Sequence, residues 1–107
     1  MVDDVAVGVI KRYLSQLQQS GMDVRCAVLF GSRASGSHGH ESDIDVLVVS
    51  PRFDNPTGRS DADLLWRVAA QTDSRLEPIP CGERQWAEDQ GSPLLEVVRR
   101  QGFLIAA

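Results

Sequence analysis

The sequence contains little cysteine, few aromatic residues and no long apolar run. Its two cysteines, Cys26 and Cys81, are too few for a disulfide framework and lack the spacing of a metal site. No apolar run approaches the roughly 20 residues that a membrane-spanning helix requires. The sequence begins Met1-Val2-Asp3-Asp4, which is acidic, whereas a secretion signal begins with basic residues. These absences predict a cytoplasmic protein with free thiols and no membrane contact.

Basic residues are also scarce: the chain has 11 Lys and Arg residues but 15 Asp and Glu residues, which gives a formal net charge of −4. Proteins that bind nucleic acids through the phosphate backbone are normally basic, so we expect no direct nucleic-acid partner. The 42% hydrophobic and 24% charged residues are typical of a globular domain. A length of 107 residues allows one modest core. The sequence therefore predicts a single domain over residues 1–107.

Hydrophobic periodicity and turn residues divide the chain into helices and short strands. The pattern predicts helices over 2–19, 60–69, 83–90 and 93–101, and strands over 24–30, 44–49 and 74–79. Pro78 indicates a sheet edge or a strand end, since proline cannot donate to a ladder. The predicted fold class is α/β (α+β), with a small mixed sheet flanked by helices.

Two aspartates stand at the beginning of the most apolar strand. Asp43 and Asp45 are two residues apart, so their side chains are expected on the same face. Paired carboxylates beside an apolar strand repel each other, and a divalent cation such as Mg²⁺ or Mn²⁺ would relieve that repulsion. The structural alternative is that Asp43 caps the strand while Asp45 pairs with an arginine.

A glycine–serine turn, Gly31-Ser32, directly follows the first predicted strand. Backbone amides and a hydroxyl at such a turn can hold phosphate oxygens, especially if Arg33 opens a short helix. A plain turn is the alternative, and neither the P-loop motif nor G-x-G-x-x-G is present. Together, the turn and the carboxylates predict a site for a metal and a nucleoside triphosphate. His38 and His40, in the intervening loop, are interpreted as solvated residues.

The spacing Gly31-Ser32, ten residues, Asp43-Ile44-Asp45 resembles the G-S-x10-D-x-D signature of the nucleotidyltransferase superfamily that includes polymerase beta. The flanking residues resemble the minimal nucleotidyltransferases of that superfamily. This resemblance implies nucleotide binding by Gly31, Ser32, Arg33 and Ser42, and catalysis and metal binding by Asp43, Asp45 and a third carboxylate. Glu77 is the candidate for the third carboxylate, although the family more often has aspartate there. The alternative is that Glu77 is only an exposed residue of an edge strand, and Asp73 is then the fallback.

Minimal nucleotidyltransferases are often antitoxins whose partner is a HEPN-domain ribonuclease toxin. The resemblance therefore implies Mg²⁺-dependent transfer of AMP from ATP to a hydroxyl, a tyrosine of that partner, within a hetero-oligomer. One alternative is a binding module that neutralises the toxin by masking it. Adenylylation of a small molecule is less favoured, because larger relatives use a second domain for it. The apolar residues near the carboxyl end are more than one helical stripe needs to face a small core, so they form either a partner surface or additional core: Leu94, Leu95, Val97, Val98, Phe103, Leu104 and Ile105.

Overall fold

The computed structural model describes residues 2–36, 39, 42–55 and 60–107. Its elements are the helices α1 (Asp4–Gln19), α2 (Ser32–Ser35), α3 (Ser60–Thr72), α4 (Glu83–Glu88) and α5 (Pro93–Gln101), and the strands β1 (Cys26–Phe30), β2 (Ile44–Val49), β3 (Leu76–Cys81) and β4 (Phe103–Ala106). A short 3₁₀ helix covers Pro51–Asp54. None of the described helices is long and apolar enough to cross a membrane.

The helices begin where capping residues satisfy their free backbone amides. The side chain of Asp3 accepts a hydrogen bond from the amide of Val5 and so caps α1. Ser92 accepts in the same way from the amide of Leu95, and Pro93 occupies the first turn of α5. The Ser92–Pro93 start is recognisable in the sequence, whereas the predicted first helix begins at residue 2, before Asp3. The predicted helices are confirmed with small shifts of their ends. The short α2 corresponds to the single helical turn that the glycine–serine segment allows.

The strands form one mixed sheet in the order β3-β2-β1-β4. Strand β1 runs antiparallel to both β2 and β4, whereas β2 and β3 are parallel. The third strand lies two residues further along the chain than predicted. Strand β4 was not predicted: it forms because Phe103 to Ala106 pair with β1, and three of its four residues are exposed, so the local sequence shows no alternation.

The two faces of the sheet differ in what covers them. We call the face packed against α1 and α3 the core face; its fully buried residues come from alternate positions of the strands and include Ala27, Leu29, Ile44, Val46 and Val48. We call the opposite face, where α5 packs, the site face. Its apolar residues, Val28, Leu47, Val49 and Cys81, lie with Leu95 and Val98 of α5 in a smaller cluster. Asp45 and Glu77 share the alternation of the site face.

Strand β3 forms one edge of the sheet, as Pro78 predicts. The amide of Ile44 donates to the carbonyl of Arg75 at 2.8 Å, and the amide of Ser50 donates to that of Cys81 at 3.0 Å. Because backbone polar groups alternate in direction along a strand, the odd-numbered residues of this segment face β2. The backbone nitrogens of Pro78 and Pro80 therefore point to the open edge of the sheet. Because proline has no N–H at these positions, the hydrogen bonds between β3 and β2 are unaffected.

Candidate active site

Three carboxylates lie at one end of the site face. Asp45 is the second residue of β2, Asp43 immediately precedes that strand, and Glu77 is the second residue of β3. Asp45 and Glu77 are direct partners in the parallel register. Neighbouring strands are about 4.8 Å apart, so the two side chains start from adjacent positions. The pairing of β2 with β3 thus brings the predicted third carboxylate to the predicted aspartate pair.

The electrostatics of these groups reflect mutual repulsion. Partial burial raises the pKa of Asp45, and the charge of Asp43 raises it further. The charge of Asp43 is the main cause that raises the pKa of Glu77; desolvation, Asp45 and a hydrogen bond with Asp43 add to it. Each shift means that the surroundings of the group disfavour its charged form. A bound cation would remove that penalty.

The fallback residue Asp73 behaves in the opposite way. Its carboxylate accepts hydrogen bonds from Nε of Arg75 at 3.0 Å and from Nη2 at 2.7 Å. These contacts lower the pKa of Asp73 to about 2. A carboxylate satisfied by its own arginine needs no metal, so the geometry favours Glu77 over Asp73 as the third group.

Gly31 brings the serine turn against the Asp45 carboxylate. Its φ of +77° is in the left-handed region that side chains rarely adopt. A Cβ at this position would also collide with Oδ2 of Asp45. Phe30, the preceding residue, is the register partner of Asp45 across β1 and β2. Glycine is thus required here for two independent reasons, and both serve the close approach of the turn to the carboxylate.

Helix α2 begins directly after Gly31. The amides of Ala34 and Ser35 both donate to the carbonyl of Gly31, at 3.1 and 3.2 Å. The amides of Ser32 and Arg33 precede this first helical bond, so the helix itself provides no acceptor for them. They follow Gly31, which lies against Asp45, and the sequence predicts phosphate contacts at this turn.

Arg33, predicted to contact nucleotide, is placed differently from an open phosphate ligand. Its side chain is only 3% exposed and pairs with Asp3, with Nη1 at 2.5 Å from Oδ2. Nε and Nη2 donate to the carbonyl of Ser42 at 3.2 and 2.8 Å. Ser42 in turn accepts a hydrogen bond from the amide of Gly39 through its hydroxyl, at 2.9 Å. The sequence analysis did not identify Asp3 as a contributor, because it placed this residue inside the first predicted helix.

The donor set fits a hard divalent cation that is shared with substrate. Among the residues that the structure describes, no three Asp, Glu, His or Cys side chains are arranged to hold a metal by themselves. Mg²⁺ usually retains waters and takes only one or two carboxylates, with substrate phosphates completing its octahedral shell. Asp43 and Asp45, beside the turn, could supply those carboxylates. His38 and His40 lie outside the described residues.

The apolar residues near the carboxyl end are divided between the core and the surface. Leu95, Val98 and Ile105 are buried, whereas Leu94, Val97, Phe103 and Leu104 are 40–61% exposed. Trp66 of α3 is also exposed, at 52%. Trp86 lies under the guanidinium of Arg99, at 5.1 Å from its ring centroid. The expectation that the carboxyl-terminal apolar residues exceed what the core needs is therefore met for four of the seven.

Comparison with known proteins agrees with this geometry. The family model of the nucleotidyltransferase domain matches residues 8–79, which include the turn and all three carboxylates. A presumed nucleotidyltransferase from Sulfolobus solfataricus is 19% identical, with a TM-score of 0.65 over 92% of this chain and 77% of that one. A chain from a toxin–antitoxin structure with AMP-PNP is 22% identical, with a TM-score of 0.58 over 87% of this chain and 69% of that one. Among curated proteins, none matches significantly.

Proposed function

Because the chain belongs to the nucleotidyltransferase domain family, we propose that it transfers AMP from ATP to a hydroxyl group, a tyrosine of a HEPN-domain toxin. The observation that carries the proposal is the juxtaposition of Gly31-Ser32 with the carboxylates of Asp43, Asp45 and Glu77. A phosphate-binding turn beside repelling carboxylates suits a metal-bound triphosphate better than any uncharged ligand.

Asp43 and Asp45 would hold Mg²⁺ or Mn²⁺, and Glu77 would share in a second ion. When bound, the metal supplies positive charge to the triphosphate and lowers the pKa of the attacking hydroxyl. The raised pKa values of Asp45 and Glu77 support this assignment, since both report negative charge that is not compensated by the chain itself. ATP follows from the family resemblance, because no described residue identifies the base.

The residues of the chain orient the reactants. The Gly31-Ser32 turn would hold the outer phosphates, which leaves the α-phosphorus facing the carboxylates. The acceptor oxygen forms a bond to that phosphorus while the bond from phosphorus to the bridging oxygen breaks, and pyrophosphate leaves. Glu77, which is exposed at the sheet edge, would accept the proton of the hydroxyl. Positioning and charge neutralisation replace a nucleophilic side chain in this scheme.

A partner protein would supply the acceptor. The toxin–antitoxin assembly of the structural relative supports this part of the proposal. The exposed Leu94, Val97, Phe103 and Leu104 offer an apolar surface on which such a partner could dock in a hetero-oligomer. The same surface would serve the alternative function, in which the chain neutralises the toxin by masking it without transfer.

Labelled ATP distinguishes the two functions. With α-labelled ATP, Mg²⁺ and the HEPN partner, we expect label on a partner tyrosine and release of pyrophosphate. Glu77→Gln should slow transfer while leaving triphosphate affinity largely unchanged, because Glu77 acts on the hydroxyl. Glu88→Gln, which removes the same charge from an exposed position of α4, is the matched control and should transfer normally.

Each contrary outcome has a definite meaning. A Glu77→Gln variant that transfers at the wild-type rate would show that Glu77 is a bystander. If the complex forms and binds Mg-ATP but label never reaches the partner, transfer is not the function and masking replaces it.

A further inference from the structure

Arg33 connects three parts of the chain that meet at the site. It belongs to α2, directly after the Gly31-Ser32 turn, and its guanidinium pairs with Asp3 at the start of α1. The same guanidinium donates twice to the carbonyl of Ser42. The backbone repeats the connection, because the amide of Asp3 donates to the carbonyl of Arg33 at 3.0 Å.

The carbonyl of Ser42 belongs to the peptide group that leads into Asp43. Because that group is planar, two hydrogen bonds to its oxygen also fix the orientation of the Asp43 amide. On the other side of Asp43, the amide of Ile44 donates to the carbonyl of Arg75 at 2.8 Å. Asp43 itself is exposed and precedes the strand ladder, so its side chain is not held by packing. Apart from its hydrogen bond with Glu77, the direction of this side chain depends on the two peptide groups that flank it.

We propose that Arg33 is a positioning residue for Asp43, anchored by Asp3, and not a direct ligand of the triphosphate. The inference rests on the proposed metal site, and it replaces the phosphate contact that sequence reasoning gives to Arg33. A guanidinium that is 3% exposed and directed at a carboxylate and a carbonyl has little surface to offer a phosphate. The planar fork of arginine is needed because one side chain must reach both Asp3 and Ser42.

Metal binding without nucleotide separates positioning from phosphate contact. Mn²⁺ alone is titrated against the full chain by calorimetry or by the loss of its free paramagnetic resonance signal. Arg33→Lys and Asp3→Asn should both weaken Mn²⁺ binding, by about 10- to 100-fold for the arginine, as is typical when the residues that orient a metal ligand are changed. A phosphate ligand would leave metal-only binding unchanged and weaken only triphosphate binding.

Asp4→Asn is the matched control, because it removes the same charge at the neighbouring, exposed position. It should bind Mn²⁺ like the wild type. If Arg33→Lys unfolds the chain, Asp3→Asn still tests the proposal, since it leaves Arg33 in place and removes only its anchor.

The outcomes distinguish this inference from the proposed function. Folded variants that bind Mn²⁺ with wild-type affinity overturn the positioning role alone. A wild-type chain that binds Mn²⁺ neither alone nor in the presence of ATP overturns both. Weakened Mn²⁺ binding by the Arg33 and Asp3 variants, with Asp4→Asn unaffected, supports the inference.

Discussion

The core face and the site face are built from alternate residues of the same strands, yet they have opposite properties. On the core face, Ile44, Val46 and Val48 of β2 are fully buried under two helices. On the site face, the same strand changes from the buried Leu47 and Val49 to the half-buried Asp45 within a few residues. One strand thus contributes stability through one face and chemistry through the other. Substitutions on the two faces should therefore affect different measurements.

The carboxylates themselves show how the local environment decides the role of an acid. Asp73 is paired with Arg75, and its pKa falls to about 2. Asp45 and Glu77 have one another and Asp43 as neighbours, and their pKa values rise. A group with a lowered pKa stabilises the fold when charged, whereas groups with raised values destabilise it. The second kind is typical of a site that awaits a cation.

The largest expected effect is the loss of ligand binding when the aspartates are neutralised. Asp43→Asn combined with Asp45→Asn should abolish calorimetric binding of Mg²⁺ and of Mg-ATP. Its free energy of unfolding should stay within about 0.5 kcal/mol of the wild-type value or rise, because repulsion is removed. Wild-type affinity for Mg-ATP in this variant would contradict the assignment of the metal site.

A core-face substitution should do the reverse. Leu29→Ala removes a fully buried side chain and should lower the free energy of unfolding by about 2–5 kcal/mol in urea denaturation, with little change in the metal affinity of the folded chain. Leu104→Ala is the control on the neighbouring strand; this side chain is 61% exposed, so stability should change by less than about 0.5 kcal/mol. A large loss in the control would mean that Leu104 packs more tightly than its exposure indicates.

The smallest effect is the dependence of metal stabilisation on pH. The pKa values of Asp45 and Glu77 are raised in the folded state. The metal-free fold therefore loses stability as the pH rises from the ordinary carboxyl pKa through these raised values. Bound metal should restore that stability. At pH 7, Mg²⁺ at 100 times its dissociation constant should add about 2.7 kcal/mol. The same Mg²⁺ concentration should add less near pH 4.5, because protons compete for the carboxylates. Equal thermal stabilisation at both pH values would contradict carboxylate binding.

The sequence was sufficient where structure is local. Apolar periodicity predicts α1, Ser92 and Pro93 predict the start of α5, and the alternation of Asp43 and Asp45 around Ile44 predicts a common face. Glu77 could be proposed because its own strand is recognisable. The family model confirms the nucleotidyltransferase domain that the Gly31-Ser32 and Asp43-Asp45 spacing indicates.

The sequence was insufficient where a residue depends on a distant one. Strand β4 exists through its pairing with β1, more than 70 positions earlier in the chain, and carries no strong strand pattern of its own. The position of Arg33 after the turn predicts a phosphate contact, and it gives no indication of the ion pair with Asp3, which joins residues 30 positions apart. Hydrophobic periodicity reflects only neighbouring residues in the sequence, so it cannot predict either of these contacts.

The two prolines of β3 also set a limit on how sheets of neighbouring molecules can join. An unpaired strand edge is a template for aggregation, and outward-facing prolines remove the donors that such pairing needs. Strand β4, with its exposed Phe103 and Leu104 and no proline, has no such protection. If two copies joined through β4, both outer edges of the combined sheet would be proline-blocked β3 strands. Association by this route would stop at a pair and could not propagate into a fibre.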